Sequence, residues 1–253
     1  VLTTASEALA AILTVFRLYF RYSIGRLWWD DFWAALTLLC NSISIIGSWL
    51  LATPLDNPYL AIFDTAPQSR NTHIVSFWLA ILFYTCTIWF ARFSIISSLI
   101  RIVPPTRSVR LATLGSAFVL ALMGIFVLLA KALACSIGAS WYNQPPFQCP
   151  IPEWVAISEA ITDSLSGMML VYLPLRLLWR MRLPSNQRIM IMAVFSASFL
   201  TTVVSIVHTA YIIPPSFTGE MIAQIEGIFS LIVCNLLFLA TYVYRITRGR
   251  DLD

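Results

Sequence analysis

Apolar residues gather along the chain in seven blocks, each long enough to cross a bilayer, and polar residues gather between them. A spanning helix needs roughly 20 mostly apolar residues, because a rise of about 1.5 Å per residue must cover about 30 Å of hydrocarbon. The blocks cover about residues 1–20, 32–52, 74–100, 111–134, 154–179, 189–213 and 221–244. The first carries Glu7 and is the weakest of the seven as a span. The pattern predicts an all-α membrane protein, a seven-transmembrane helix bundle forming a single domain over residues 1–253. The chain starts at Val1, directly in an apolar block, so further residues are expected upstream.

The connectors alternate in character. Residues 20–31, 101–110 and 180–188 are short and basic, whereas 53–73, 135–153 and 214–220 hold one basic residue, Arg70, and several prolines. Thirteen of the sixteen basic residues fall in four clusters: Arg17, Arg21 and Arg26; Arg101, Arg107 and Arg110; Arg176, Arg180, Arg182 and Arg188; Arg245, Arg248 and Arg250. Short loops rich in Lys and Arg stay on the cytoplasmic side. The expected topology therefore has the amino end outside and the carboxyl end cytoplasmic, in the plasma membrane. Trp28, Trp29, Tyr59, Trp141, Trp154, Trp179 and Tyr244 suit the interfacial belts. No internal repeat is evident, which disfavours inverted-repeat transporters.

Composition agrees with this class. The chain is 59% hydrophobic and 11% charged, whereas an ordinary soluble domain is about 25% charged. The net charge of +4 does not point to nucleic acid, since the arginines sit at span ends, where anionic headgroups meet them. The lipid bilayer is the expected partner; no motif identifies a cytoplasmic signalling partner. Cys135 and Cys149 share a connector assigned to the oxidising side, where a disulfide is expected; the alternative is two unpaired thiols in a loop. Closing a loop of about 15 residues contributes roughly 3 kcal/mol in the chain-entropy model. Cys40, Cys86 and Cys234 lie within spans and are expected to behave as small apolar residues.

Ionisable groups inside a span are costly and face the bundle interior or a cavity. Six occur: Arg92, Lys131, Glu159, Asp163, His208 and Glu226. The topology puts all but Arg92 in the outer half or the middle. Glu159 and Asp163, four residues apart, share a helix face. Two readings stay open. The favoured one is a ligand pocket built from Lys131, Glu159, Asp163, His208 and Glu226. The other is internal ion pairing, such as Lys131 with Glu159 and Arg92 with Asp163, which sets helix register. Three acids against two bases leave one carboxylate over, to be protonated, paired with His208 or met by a cationic group. Small polar stripes are read as helix-packing contacts: Thr37, Asn41, Ser44 and Ser48 in the second block, and Ser198, Thr201, Ser205, His208 and Thr209 in the sixth.

Several chemistries are disfavoured. Lys131 is the only lysine, and it lies in the fourth block, whereas a retinal Schiff base needs a lysine in the seventh span. The chain holds two histidines, His73 and His208, too few for a multi-histidine zinc site. It has no Gly-x-Ser-x-Gly, no phosphate-binding glycine loop and no Cys-x-x-Cys. No metal and no cofactor are expected. Asp30–Asp31, after Trp28–Trp29 and beside Arg26, lacks a second acidic motif on its side of the membrane. Helix N-terminal stabilisation plus ion pairing accounts for it better than a metal-binding pair.

Arg17-Leu-Tyr-Phe-Arg21 followed by Arg26-Leu-Trp-Trp-Asp30-Asp31 resembles the signature of the fungal rhodopsin-like seven-transmembrane family, with Arg17, Arg21, Trp29, Asp30 and Asp31 as its motif residues. The resemblance continues at Cys135, Trp141 and Cys149, at Thr162-Asp163 with Tyr172-Leu-Pro174, and at Glu226. It departs at Arg92, where members often carry lysine, and near the end of the seventh block, where members often carry proline. The resemblance implies a seven-span fold and a receptor-like role. The leading expectation is a receptor-like integral membrane protein with a small-molecule ligand, more a binder than an enzyme, and Pro174 as a pivot. An intramembrane enzyme or transporter of hydrophobic molecules and a structural or accessory membrane protein remain as alternatives.

Overall fold

The computed structural model describes residues 2–25, 27–52, 68–102, 107–137, 139–143, 149–180, 196, 199–204, 207 and 222–235. The elements formed by the described residues are all helical: α1 (Leu2–Ser23), α2 (Trp29–Ala52), α3 (Gln68–Ile102), α4 (Arg107–Ile137), a 3-10 turn (Ala139–Asn143) and α5 (Glu153–Arg180), followed by α6 (199–204) and α7 (Ile222–Asn235). Each helix falls on one of the seven apolar blocks. Among the described residues three segments are long and apolar enough to cross a membrane, Trp29–Leu51, Asn71–Ile100 and Arg110–Ile137. In α1 and α5 the apolar run is interrupted by Glu7, Arg17 and Arg21 and by Glu159 and Asp163, respectively. At about 1.5 Å per residue the 24 residues of α2 reach about 36 Å, beyond the hydrocarbon thickness.

The distribution of side chains is inverted relative to a water-soluble bundle. Leu111, Leu114, Phe118, Leu122, Ile125 and Leu129 recur at three- and four-residue steps on α4 and are exposed. Arg17, Asp30, Asp31, Arg92, Lys131, Glu159, Asp163 and Glu226 are buried. Large contiguous apolar surface is rare on soluble monomers, and charged residues are seldom fully buried unless paired. A helical surface that is apolar outside and polar within is suited to lipid, where the bundle interior is the only place for charge.

Among the described residues the most extensive helix pairing is that of α2 with α3. They run antiparallel: Trp33 stacks on Phe90 and Phe93, and Ser44 Oγ donates to the Ala80 carbonyl at 3.1 Å. A Cβ on Gly47 would lie 2.8 Å from Ala80 N and 2.9 Å from Ser76 O, so the two backbones approach as closely as glycine permits. Thr37, Asn41 and Ser44, part of the polar stripe of the second block, are buried against neighbouring helices, as packing contacts would be. Gly124 packs against the Trp89 ring and joins α3 to α4, and Gly167 packs against Thr202 and joins α5 to α6.

One end of the bundle is closed by the disulfide Cys135–Cys149, with Cα atoms 5.6 Å apart. Trp141 in the 3-10 turn lies over it with Phe77, its Nε1 donating to the Cys135 carbonyl at 3.1 Å. Trp78 Nε1 donates to Tyr142 Oη at 3.1 Å and ties α3 to the same turn. Trp141 is therefore a buried part of this cap and not an interfacial anchor, because its ring fills the space between the disulfide and α3. Trp28, Trp29 and Trp154 are exposed.

Replacing Gly47 by leucine is expected to separate α2 from α3 and to cost about 1–3 kcal/mol, the usual range for overpacking. A lowered midpoint of thermal unfolding in detergent checks this; an unchanged midpoint contradicts the close approach.

Candidate functional site

Buried charge is arranged at successive levels along α3. Trp78 touches the disulfide cap, Tyr84 and Thr85 face an upper group of charges, Arg92 faces a second, and Ser94 and Ser98 reach a third. At 1.5 Å per residue the seven residues from Thr85 to Arg92 advance about 10 Å.

At the upper level, Lys131 on α4 donates from Nζ to Glu159 Oε1 on α5 at 2.5 Å and to Thr85 Oγ1 at 3.0 Å. The same ammonium sits 5.6 Å from the centre of the Tyr84 ring. Tyr84 Oη donates to Glu226 Oε2 on α7 at 2.5 Å. Four helices therefore meet through five side chains. One turn further along α5, Asp163 Oδ1 accepts from Arg92 Nη1 at 2.6 Å, and the Arg92 guanidinium stacks 4.9 Å from the Trp89 ring centre. The i, i+4 spacing of Glu159 and Asp163 aligns two acids on one face of α5, and each meets a base from a different helix. Both ion pairs offered by the sequence as the alternative to a pocket are formed.

The third level holds the Arg17–Asp31 motif. Arg17 donates from Nε to Asp31 Oδ1 at 3.0 Å, from Nη2 to Asp30 Oδ2 at 2.9 Å and from Nη1 to the Cys234 carbonyl of α7 at 2.5 Å. Arg21, one turn on, donates from Nη1 to Asp30 Oδ2 at 2.6 Å and to Asp31 Oδ2 at 2.9 Å. Ser98 Oγ donates to Asp30 Oδ2 at 3.2 Å, and Ser94 Oγ to the Asp30 carbonyl at 2.9 Å. Asp31 Oδ2 also accepts from the Trp28 amide at 3.2 Å, the reach-back of a capping box at the start of α2. The motif thus combines capping with ion pairing, and the pairing partners are Arg17 and Arg21 of the preceding helix; Arg26 lies outside the described residues. Two arginines against two aspartates balance the charge, and the planar Arg17 fork spans both carboxylates at once. Asn235 donates from Nδ2 to Thr14 Oγ1 at 2.8 Å, one turn from Arg17, and binds α7 to α1. Asp30 Oδ1 and Asn235 Oδ1 are buried without a donor among the described residues.

Of the proposed pocket residues, Lys131, Glu159 and Glu226 share the upper level, joined through Thr85 and Tyr84; Asp163 lies one turn away with Arg92. His208 lies outside the described residues, as does its pairing with a carboxylate. Tyr84 was not singled out by sequence, because a tyrosine in an apolar run carries no charge to mark it. Among the described residues no group of three His, Cys, Asp or Glu side chains is placed to hold a metal ion.

Removing Arg17 with alanine is expected to leave Asp30 and Asp31 buried with only Arg21 to answer them, at a cost on the order of 3–5 kcal/mol. Arg21→Ala is expected to cost less, since Arg21 is partly exposed. Unfolding of both variants in detergent ranks them; equal losses contradict the central place of Arg17.

A family model for the fungal rhodopsin domain matches residues 16–242. No curated protein and no solved structure matches the chain.

Proposed function

The chain belongs to the fungal rhodopsin domain family, and on that premise we propose a receptor-like integral membrane protein of the plasma membrane that binds a small molecule and carries no retinal. In this reading the apolar blocks form a seven-helix bundle, with the amino end outside and the carboxyl end cytoplasmic, as the arginine clusters suggest. The ligand site lies in the outer half, among Lys131, Glu159, Asp163, His208 and Glu226. The only lysine is engaged by Glu159 on α4–α5, which argues against a Schiff base in the seventh span.

The observation that carries the reading is the Lys131–Glu159 and Tyr84–Glu226 network, which joins α3, α4, α5 and α7 through charged and polar tips. Glu159 and Glu226 both present carboxylates at this level, which suit a ligand that brings a positive charge or hydrogen-bond donors. Such a ligand competes with Tyr84 for Glu226, or with Lys131 for Glu159. Its differential affinity for two helix arrangements then shifts the population between them.

A second reading, a structural or accessory membrane protein, is favoured by one observation: Lys131 and Arg92 each already face a carboxylate. A buried pair of this kind adds little net stability, yet it is costly to break from one side.

The two readings part in two measurements. In a thermal-shift screen of the purified protein against small lipophilic amines, the receptor reading predicts hits whose stabilisation is lost in Glu226→Gln while the variant reaches the membrane normally. Absence of hits, or equal stabilisation of the variant, counts against it. For the pair itself, Arg92→Met is expected to lose about 3–5 kcal/mol and Arg92→Met with Asp163→Leu to regain most of that loss. A double variant as unstable as the single one would falsify the pairing account.

A further inference from the structure

The charge network leaves one buried reactive group unused: the thiols of the α2–α3 seam. Cys40 on α2 and Cys86 on α3 lie on the facing sides of these two helices, and neither takes part in the disulfide. Their meeting follows from the helix register. On α2, Trp33, Thr37, Cys40, Ser44 and Gly47 succeed one another at helical three- and four-residue steps. On α3, Leu79, Phe83, Cys86, Phe90 and Phe93 do the same. Trp33 lies on Phe90 and Phe93, Ser44 reaches the Ala80 carbonyl, and Gly47 meets Ser76, Leu79 and Ala80. Cys40 lies between Trp33 and Ser44, and so falls opposite Cys86. The backbone approach at Gly47, two turns away, brings the helices close enough for two short side chains to touch. Cys40 is buried, and Cys86 is partly exposed at the edge of the seam.

We propose that Cys40 and Cys86 form an oxidisable dithiol, converted by lipophilic hydroperoxides into a disulfide that locks α2 to α3 at mid-span. The partly exposed Cys86 thiol, after losing its proton, attacks the terminal oxygen of the hydroperoxide. The O–O bond breaks, the alkoxide takes up a proton as an alcohol, and Cys86 becomes a sulfenic acid. Cys40 then attacks that sulfur, an S–S bond forms, and the hydroxyl leaves as water. Overall, two thiols give up two electrons and two hydrogens, and one hydroperoxide is reduced to one alcohol and one water. An oxidant carried by acyl chains reaches this depth, whereas a charged oxidant does not. Among the described residues Cys234 faces no second thiol: its own donates to the Leu231 carbonyl of its helix, at 3.1 Å.

The test uses the full chain in phosphatidylcholine vesicles, treated with cumene hydroperoxide, denatured, alkylated and mapped by non-reducing mass spectrometry. The expected result is a Cys40–Cys86 linked peptide, loss of both alkylation sites, and their recovery after dithiothreitol, with Cys234 alkylated throughout. Cys40→Ser is expected to stop Cys86 short of the linked form and to give a sulfenic acid that dimedone traps. Two results overturn the proposal: both thiols remaining alkylatable after peroxide, or Cys86 oxidised to the sulfinic acid in the unaltered chain with Cys40 still free. Both read the chain without substitutions, so they do not depend on the folding of a variant.

Discussion

A charge held in an apolar interior has to meet its counter-charge, and in this protein α3 is where that requirement is met. Desolvating a carboxylate or a guanidinium costs several kcal/mol even after relaxation, and only close, well-oriented partners offset it. Arg92 on α3 answers Asp163 on α5. Thr85 of α3 accepts from Lys131, and Tyr84 donates to Glu226. Ser98 donates to the Asp30 carboxylate and Ser94 to its backbone carbonyl. A displacement of α3 along its axis would disturb all of these together, which makes that helix the element against which the others are positioned.

The ends of the bundle are held by different means. At one end a covalent bond closes the turn around Trp141, and aromatic packing on Phe77 and Trp78 ties it to α3. At the other, Arg17 gathers α1, α2 and α7 through both aspartates of α2 and a backbone carbonyl of α7, and Asn235 of α7 adds a hydrogen bond to Thr14 of α1. Between them, close contact through small residues supplies the cohesion, as at Gly47 and Gly124. Helices in lipid cannot rely on expelling water from between them, so contact area and polar pairing take over that role. The exposed leucines and phenylalanines of α4 face outward for the same reason.

These arrangements bear on the receptor-like reading. The network at the upper level draws its members from four helices. The level of Lys131 and Glu226 and the level of Arg17 and Asp30 are connected by α3 and α7 alike, since α7 carries both Glu226 and the Cys234 carbonyl. Glu226 and the carbonyl that Arg17 reaches thus lie on one helix, about two turns apart.

Much of this was legible in the sequence. Block lengths and the recurrence of arginine clusters determine a helical membrane chain, because hydrocarbon thickness sets how many apolar residues a crossing requires. The spacing of Glu159 and Asp163 determines that they share a face, and Cys135 and Cys149 were expected to pair. Which partner each charge would take was not determined. Sequence left Lys131, Arg92 and the three acids open between a pocket and ion pairs, and placed Asp30 and Asp31 with Arg26. Pairing depends on the rotation of each helix about its axis and on its offset along it, and neither is encoded by any one segment. The contact of Tyr84 with Glu226 and the reach of Arg17 across two helices were decided only when the helices packed together. Periodicity tells which residues share a face of one helix; only the tertiary structure tells which face of another helix they meet.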